Sequence, residues 1–143
     1  MKLSKTKLKI NAEVIGNGFM RFNESLTYFE ANKLESVGYD FMCDNTSITH
    51  FEAKKLETVG DCFMYWNISL THFEANQLKS IGDEFMYWNK SLTHFEAKNL
   101  ESVGNHFMSC NKSLTHFEAN NLKYVGEWFM RYHSKRKEFC KLL

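Results

Sequence analysis

From residue 25 to residue 134 the hydrophobic positions return every 22 residues, and the spacing never slips by one. Five lines begin at Ser25, Ser47, Ser69, Ser91 and Ser113, each close to S-L-T-H-F-E-A-x-x-L-x-x-V-G-x-x-F-M-x-x-N-x. In the third line the apolar set is Leu70, Phe73, Ala75, Leu78, Ile81 and Phe85, and the other lines place like residues at the same points. The regular stretch is Thr71-His72-Phe73-Glu74-Ala75, where alternation turns Phe and Ala inward and His and Glu outward, as in a short half-buried strand. A fixed period of about 20 to 50 residues marks a stacked array, in which each unit buries its apolar side against its neighbours.

Other columns punctuate the line. Six of the seven glycines, Gly16, Gly38, Gly60, Gly82, Gly104 and Gly126, follow Val or Ile at one point of the period, where a turn needs positive φ or close approach to the next rung. The Phe-Met pair after it, as in Phe85-Met86, predicts a short 3₁₀ or helical segment that returns an aromatic to the core. Every methionine except Met1 falls in that column as an adaptable core filler. Asn23, Asn45, Asn67, Asn89 and Asn111 close the lines, with His133 in their place in the last. A stacked Asn ladder bonds along the array and to turn backbone, holding the register of a tight bend.

The pattern L-x-x-F-x-A-x-x-L-x-x-V-G-x-x-F resembles a leucine-rich repeat, and Ile81-Gly82-Asp83-Glu84-Phe85 is most similar to the BspA-like class of such repeats. The likeness covers residues 25–134 and, more weakly, 8–24. It implies an α/β solenoid: a right-handed array of 22-residue rungs with a parallel sheet on its concave face and short irregular or helical segments on its convex face, used mainly to bind other proteins. The chain departs from the class in lacking a proline after the strand and in a period one residue shorter than usual. A second register, Phe73-x-x-Asn76-x-Leu78, is similar to the L-x-x-N-x-L core of ordinary leucine-rich repeats, but Lys54 and Lys98 stand at that Asn in two of the five lines. A parallel β-helix is the alternative fold, against which the long mixed stretch after each glycine argues.

The chain divides into a degenerate N-terminal capping rung at 1–24, five repeats at 25–134 and a C-terminal capping helix at 135–143. In the first, Ile15-Gly16 and Phe19-Met20 keep register while Lys7, Lys9 and Ala12 stand where Phe, Ala and Leu belong, so that lysines guard an open edge. In the last, Phe139, Leu142 and Leu143 have helical spacing, with Ser134 as N-cap.

Charge is segregated along these parts. Lys and Arg outnumber Asp and Glu five to two over residues 1–24 and five to one over 131–143, but are outnumbered eight to fourteen over 25–130. Such asymmetry steers partners or keeps an open solenoid from stacking end to end. At 143 residues and 43% hydrophobic, one domain with a continuous core is expected. No apolar run approaches the ~20 residues of a membrane span, and the charged start has no apolar stretch behind it, so no secretory signal is expected. Cys43, Cys62, Cys110 and Cys140 form no C-x-x-C pair, which points to free thiols and a reducing, cytoplasmic setting. Only Cys43 and Cys62, on adjacent rungs, are placed to approach one another.

Two surfaces are candidates for function. The first is the strand face, where His50, His72, His94 and His116 run beside Glu52, Glu74, Glu96 and Glu118; stacked carboxylates repel, and a parallel imidazole column offsets that repulsion as it takes up protons near pH ~6.5. Neighbouring carboxylates are therefore expected to raise the histidine pKa values. The face suits a basic protein segment, or is a solvated ladder. His-x-Glu also suggests metal, but a flat ladder converges poorly and no metal or other cofactor is expected beyond adventitious surface binding. The second surface breaks the symmetry: Tyr65, Trp66, Tyr87 and Trp88 fall on two adjacent rungs, and Tyr and Trp are enriched in binding hot spots. Catalysis is not expected, because nucleophile and base need unlike neighbours at defined reach, whereas the candidates here are repeated in every line or isolated, like His106. The sequence thus predicts a non-enzymatic protein-binding module, a host-interaction factor or an inhibitor covering a protein surface, with a structural or display array as the alternative. Nucleic acid is disfavoured by the acidic middle, and no membrane partner is expected.

Overall fold

Each line of the sequence wraps once around a common core and lays its strands beside those of the lines before and after, producing a parallel β-solenoid. The computed structural model describes residues 6–140. The strand expected at Thr-His-Phe-Glu-Ala forms in all five lines, over its central residues in the last four: β3 (Leu26–Glu30), β5 (His50–Glu52), β7 (His72–Glu74), β9 (His94–Glu96) and β11 (His116–Glu118), with β1 (Thr6–Lys9) as their counterpart in the N-terminal rung. Pairing is parallel and keeps the 22-residue register among the repeats, so that Phe73 faces Phe95 and His94 faces His116; β1 is shifted against β3, and Leu8, not the expected Lys7, faces Phe29. The residue pair before each glycine, read in the sequence only as the approach to a turn, makes a second strand: β2 (Val14–Ile15), β4 (Ser36–Val37), β6 (Thr58–Val59), β8 (Ser80–Ile81), β10 (Ser102–Val103) and β12 (Tyr124–Val125). These six form one continuous sheet. The second sheet is the feature that fits the parallel β-helix alternative.

The segment after each glycine is not helical. Its alternate residues are left-handed, as at Asp40, Met42 and Asp44 (φ 55°, 52° and 58°) and at Cys62, Met64 and Trp66 (φ 54°, 51° and 59°). Alternating handedness flattens the chain, so peptide groups point along the stack instead of along the segment. A third ladder follows: Asp40 N–H donates to Asp61 O on the next rung at 2.9 Å, and Met42 N–H donates to Phe19 O on the preceding rung at 2.8 Å. Left-handed conformation costs a non-glycine residue roughly 1–2 kcal/mol, and the inter-rung hydrogen bonds and core burial offset it.

Two columns of phenylalanine fill the core. Phe29, Phe51, Phe73, Phe95 and Phe117 stack at 5.4 to 5.7 Å, and Phe19, Phe41, Phe63, Phe85, Phe107 and Phe129 at 5.1 to 5.6 Å. The columns meet edge to face, as Phe73 meets Phe85 at 5.5 Å, a favoured aromatic geometry. Met42, Met64, Met86, Met108 and Met130 are fully buried beside them. The Asn ladder bonds along the array and to turn backbone as expected, and is buried at Asn45, Asn67, Asn89 and Asn111: Asn67 Oδ1 accepts the Asn45 N–H at 2.8 Å while its Nδ2 donates to Met42 O at 3.0 Å. Asn45, Asn67, Asn89 and Asn111 each donate from Nδ2 to a methionine carbonyl of the rung before.

Helix α1 (Arg136–Cys140) follows the last rung, and Phe139 packs on Phe117 at 5.4 Å and on His133 at 5.2 Å. Lys135, not the expected Ser134, stands at the cap position, its carbonyl accepting the Phe139 N–H at 3.1 Å; just before it His133 Nδ1 accepts the Lys135 N–H at 3.0 Å, as Asn23 Oδ1 accepts the Ser25 N–H at 3.1 Å. The expected contributions of Leu142 and Leu143 lie outside the described residues. Among those residues no helix is long and apolar enough to cross a membrane.

Candidate functional site

In-register pairing brings the predicted His and Glu columns together on the first face. Tyr28 stacks on His50 at 4.4 Å, His72 on His94 at 4.1 Å and His94 on His116 at 4.2 Å. Every histidine also lies 3.6 to 3.8 Å from the glutamate two residues on. The column is less acidic than its five repeated glutamates suggest. Lys9, Lys54 and Lys98 reach Glu30, Glu52 and Glu96 at 2.7, 2.9 and 2.8 Å, and hydrogen bonds from these ammonium groups hold the three carboxyls below the usual range. Asn76 and Asn120 stand beside Glu74 and Glu118 instead. Negative charge is therefore concentrated at Glu74, 54% exposed, and at Glu118.

His94 runs against the expected rise. His94 is 27% exposed, where the other three are about half exposed, and its pKa is pushed down, first by burial and then by His72 and His116 on either side. The neighbouring glutamates pull the other way and lose, because desolvation and like charge disfavour the imidazolium.

The first face also parts between β5 and β7. The two strands are unpaired, while β6 and β8 of the same rungs remain paired. Thr49, Thr93 and Thr115 donate from Oγ1 to the threonine carbonyl of the preceding rung at 3.0 to 3.2 Å, and among the described residues Thr71 makes no such bond to Thr49. The opening is a cleft of about 430 Å³ lined by Phe51, the His50/Glu52 and His72/Glu74 pairs, Lys54 and Asn76.

The left-handed segments carry the second surface. Tyr65 stacks on Tyr87 at 5.4 Å, and Trp66 lies 5.7 Å from Trp88. Trp66 is 41% and Trp88 39% exposed, so these rings are presented to solvent rather than absorbed in the core. The ridge continues beyond the four predicted residues, from Tyr87 to His106 at 6.1 Å and from His106 to Trp128 at 6.2 Å. Trp128 is 45% exposed, and the Arg131 guanidinium lies 4.0 Å from its ring centroid. Trp128 and His106 share a column with Asp40, Cys62 and Glu84, four residues before the column of Trp66 and Trp88. Acidic side chains border the ridge at Asp44, in the Trp66 column, and at Glu84.

Cys43 and Cys62 offer little reactivity. Cys43, Cys62 and Cys110 are free, and burial pushes Cys43 up to about 12 and Cys62 up to about 11. Thiols so protonated are poor nucleophiles. Cys43 Sγ donates to Cys62 O at 2.6 Å, so the adjacent pair is tied by a hydrogen bond. The chain matches no family model, no curated protein and no solved structure.

Proposed function

We propose that the chain is a non-enzymatic protein-binding module that docks through the aromatic ridge of its left-handed segments. The observation that carries this reading is the exposure of Trp66, Trp88 and Trp128 at 41%, 39% and 45% on a rigid, inter-rung hydrogen-bonded surface. Exposed tryptophans held in place lose little entropy on binding and supply hot-spot area. Asp44 and Glu84 beside them favour a partner segment bearing Lys or Arg, which also engages indole faces by cation–π attraction. The resemblance to BspA-like leucine-rich arrays points the same way, toward a host-interaction factor or an inhibitor that covers a protein surface, acting in the cytoplasm.

A second reading rests on the parted strands β5 and β7, where Glu74 and Phe51 line a cleft on the His/Glu face. The two are separated by paired variants. A partner captured by the intact chain, identified by mass spectrometry and purified, is measured against Trp66→Ala/Trp88→Ala and against Glu52→Lys/Glu74→Lys. The ridge reading expects a loss of about 2 kcal/mol or more from the tryptophan pair and little from the charge reversal; the opposite result assigns the contact to the cleft. No effect from either pair removes both faces and assigns the contact to the ends of the array.

A further inference from the structure

The His/Glu face is flat over most of its length, yet at one place it converges. His94, Glu96 and His116 each offer one ligand atom, and the three atoms lie within 4.8 Å of one another; among the described residues no other three His, Cys or carboxylate side chains come together this way. The residues arrive from two paired strands, with His94 facing His116 in register and Glu96 two residues beyond His94 on the same face. We propose that His94, Glu96 and His116 form a binding site for a borderline first-row divalent cation of the Zn²⁺ type.

A second imidazole on a paired strand separates this triad from the His50/Glu52 pair, where Lys54 likewise holds Glu52 Oε1 and Oε2 faces His50 Nε2 but β5 and β7 are unpaired. Glu96 Oε1 is held by Lys98 Nζ at 2.8 Å and by Asn76 Nδ2 at 2.9 Å, which leaves Oε2 turned toward His94 Nε2 at 3.7 Å. Outer partners that fix a ligating carboxylate are a normal part of a metal site. Glu96 is also the least exposed glutamate of the column, at 15%, so its side chain has little freedom to lose. Two nitrogens and one oxygen suit Zn²⁺, Ni²⁺ or Co²⁺ and not the oxygen-seeking Ca²⁺ or Mg²⁺. Tetrahedral ligands at ~2.0–2.1 Å lie roughly 3.4 Å apart, so binding requires the atoms to draw in. The half-exposed His116 ring supplies that motion by turning out of its stack with His94. Solvent completes the coordination.

The test uses the full chain with any affinity tag removed, titrated with ZnCl₂ by calorimetry at pH 7.5. One equivalent is expected to bind, with no comparable signal from MgCl₂ or CaCl₂. His94→Ala, Glu96→Gln and His116→Ala should each weaken binding at least ~10-fold, while His50→Ala, in the same column but outside the triad, should change it less than about twofold. Far-UV circular dichroism establishes that each variant is folded, and Glu96→Asp provides a second carboxylate variant should Glu96→Gln fail that check. Equal losses from His50→Ala and His116→Ala, or several equivalents of equal affinity, would mean adventitious adsorption along the ladder and overturn the site.

Discussion

Gly82 lies so close to Asp61 on the preceding rung that a Cβ at residue 82 would sit 2.7 Å from the Asp61 amide nitrogen and overlap Asp61 Oδ1. That same oxygen accepts the Asp83 N–H at 2.8 Å. The glycine column thus serves close approach to the rung before it, not positive φ: the one glycine with positive φ is Gly18, outside the column.

Gly82→Ala should therefore destabilise the fold by about 1–3 kcal/mol, the range of overpacking. Gly16, where an added Cβ would meet nothing within 4 Å, provides the internal control, and Gly16→Ala should be neutral or slightly stabilising. Urea unfolding of the two variants measures both. Similar midpoints would show that neighbouring rungs separate readily at the glycine corner.

Much of this architecture is legible in the chain because register and residue type say the same thing. Phe73 and Phe95 fall 22 residues apart, and period-2 alternation around them fixes which side faces the core. The left-handed segments are not legible, since residues as unlike as Asp40, Cys62, Glu84, His106 and Trp128 share one φ sign; the hint was Gly18 in that column. Backbone handedness there is imposed by stacking, not by propensity. The cleft is also hidden, because β5 and β7 carry the same His-Phe-Glu and nothing local marks where the ladder parts. Lys54 and Lys98, seen in the sequence only as misfits to an Asn position, prove to neutralise Glu52 and Glu96.

The methionine column follows the same logic. Met64 is fully buried at φ 51° and donates its N–H to Phe41 O at 2.9 Å. A β-branched side chain is a poor occupant of left-handed backbone, whereas an unbranched one of similar volume keeps both the packing and the conformation. Met64→Ile should thus cost more than Met64→Leu, by about 1–2 kcal/mol, and chemical denaturation of the pair reads the difference. Equal stability would mean that the side chain, and not the backbone, governs this column.

His133 gives the array a pH dependence at its C-terminal end. The ring is buried in the Asn column; Nδ1 accepts from Lys135 N–H at 3.0 Å, which places the proton on Nε2, and Nε2 donates to Leu114 O at 3.1 Å. Protonation would turn Nδ1 into a second donor facing Lys135 N–H. Burial pushes the pKa down, and the hydrogen bond to Leu114 O opposes that without reversing it. For a base held neutral in the folded state, the stabilisation is fully present above the unfolded value of ~6.5 and is lost as pH falls through that value toward the folded one, because the unfolded chain binds the proton first. Thermal melts between pH 7.5 and 5 should show the native chain losing stability more steeply than His133→Asn, which restores the column's usual residue and cannot titrate. The comparison cancels the contribution of His94, present in both proteins. Parallel pH profiles would show that the last rung opens before His133 is protonated.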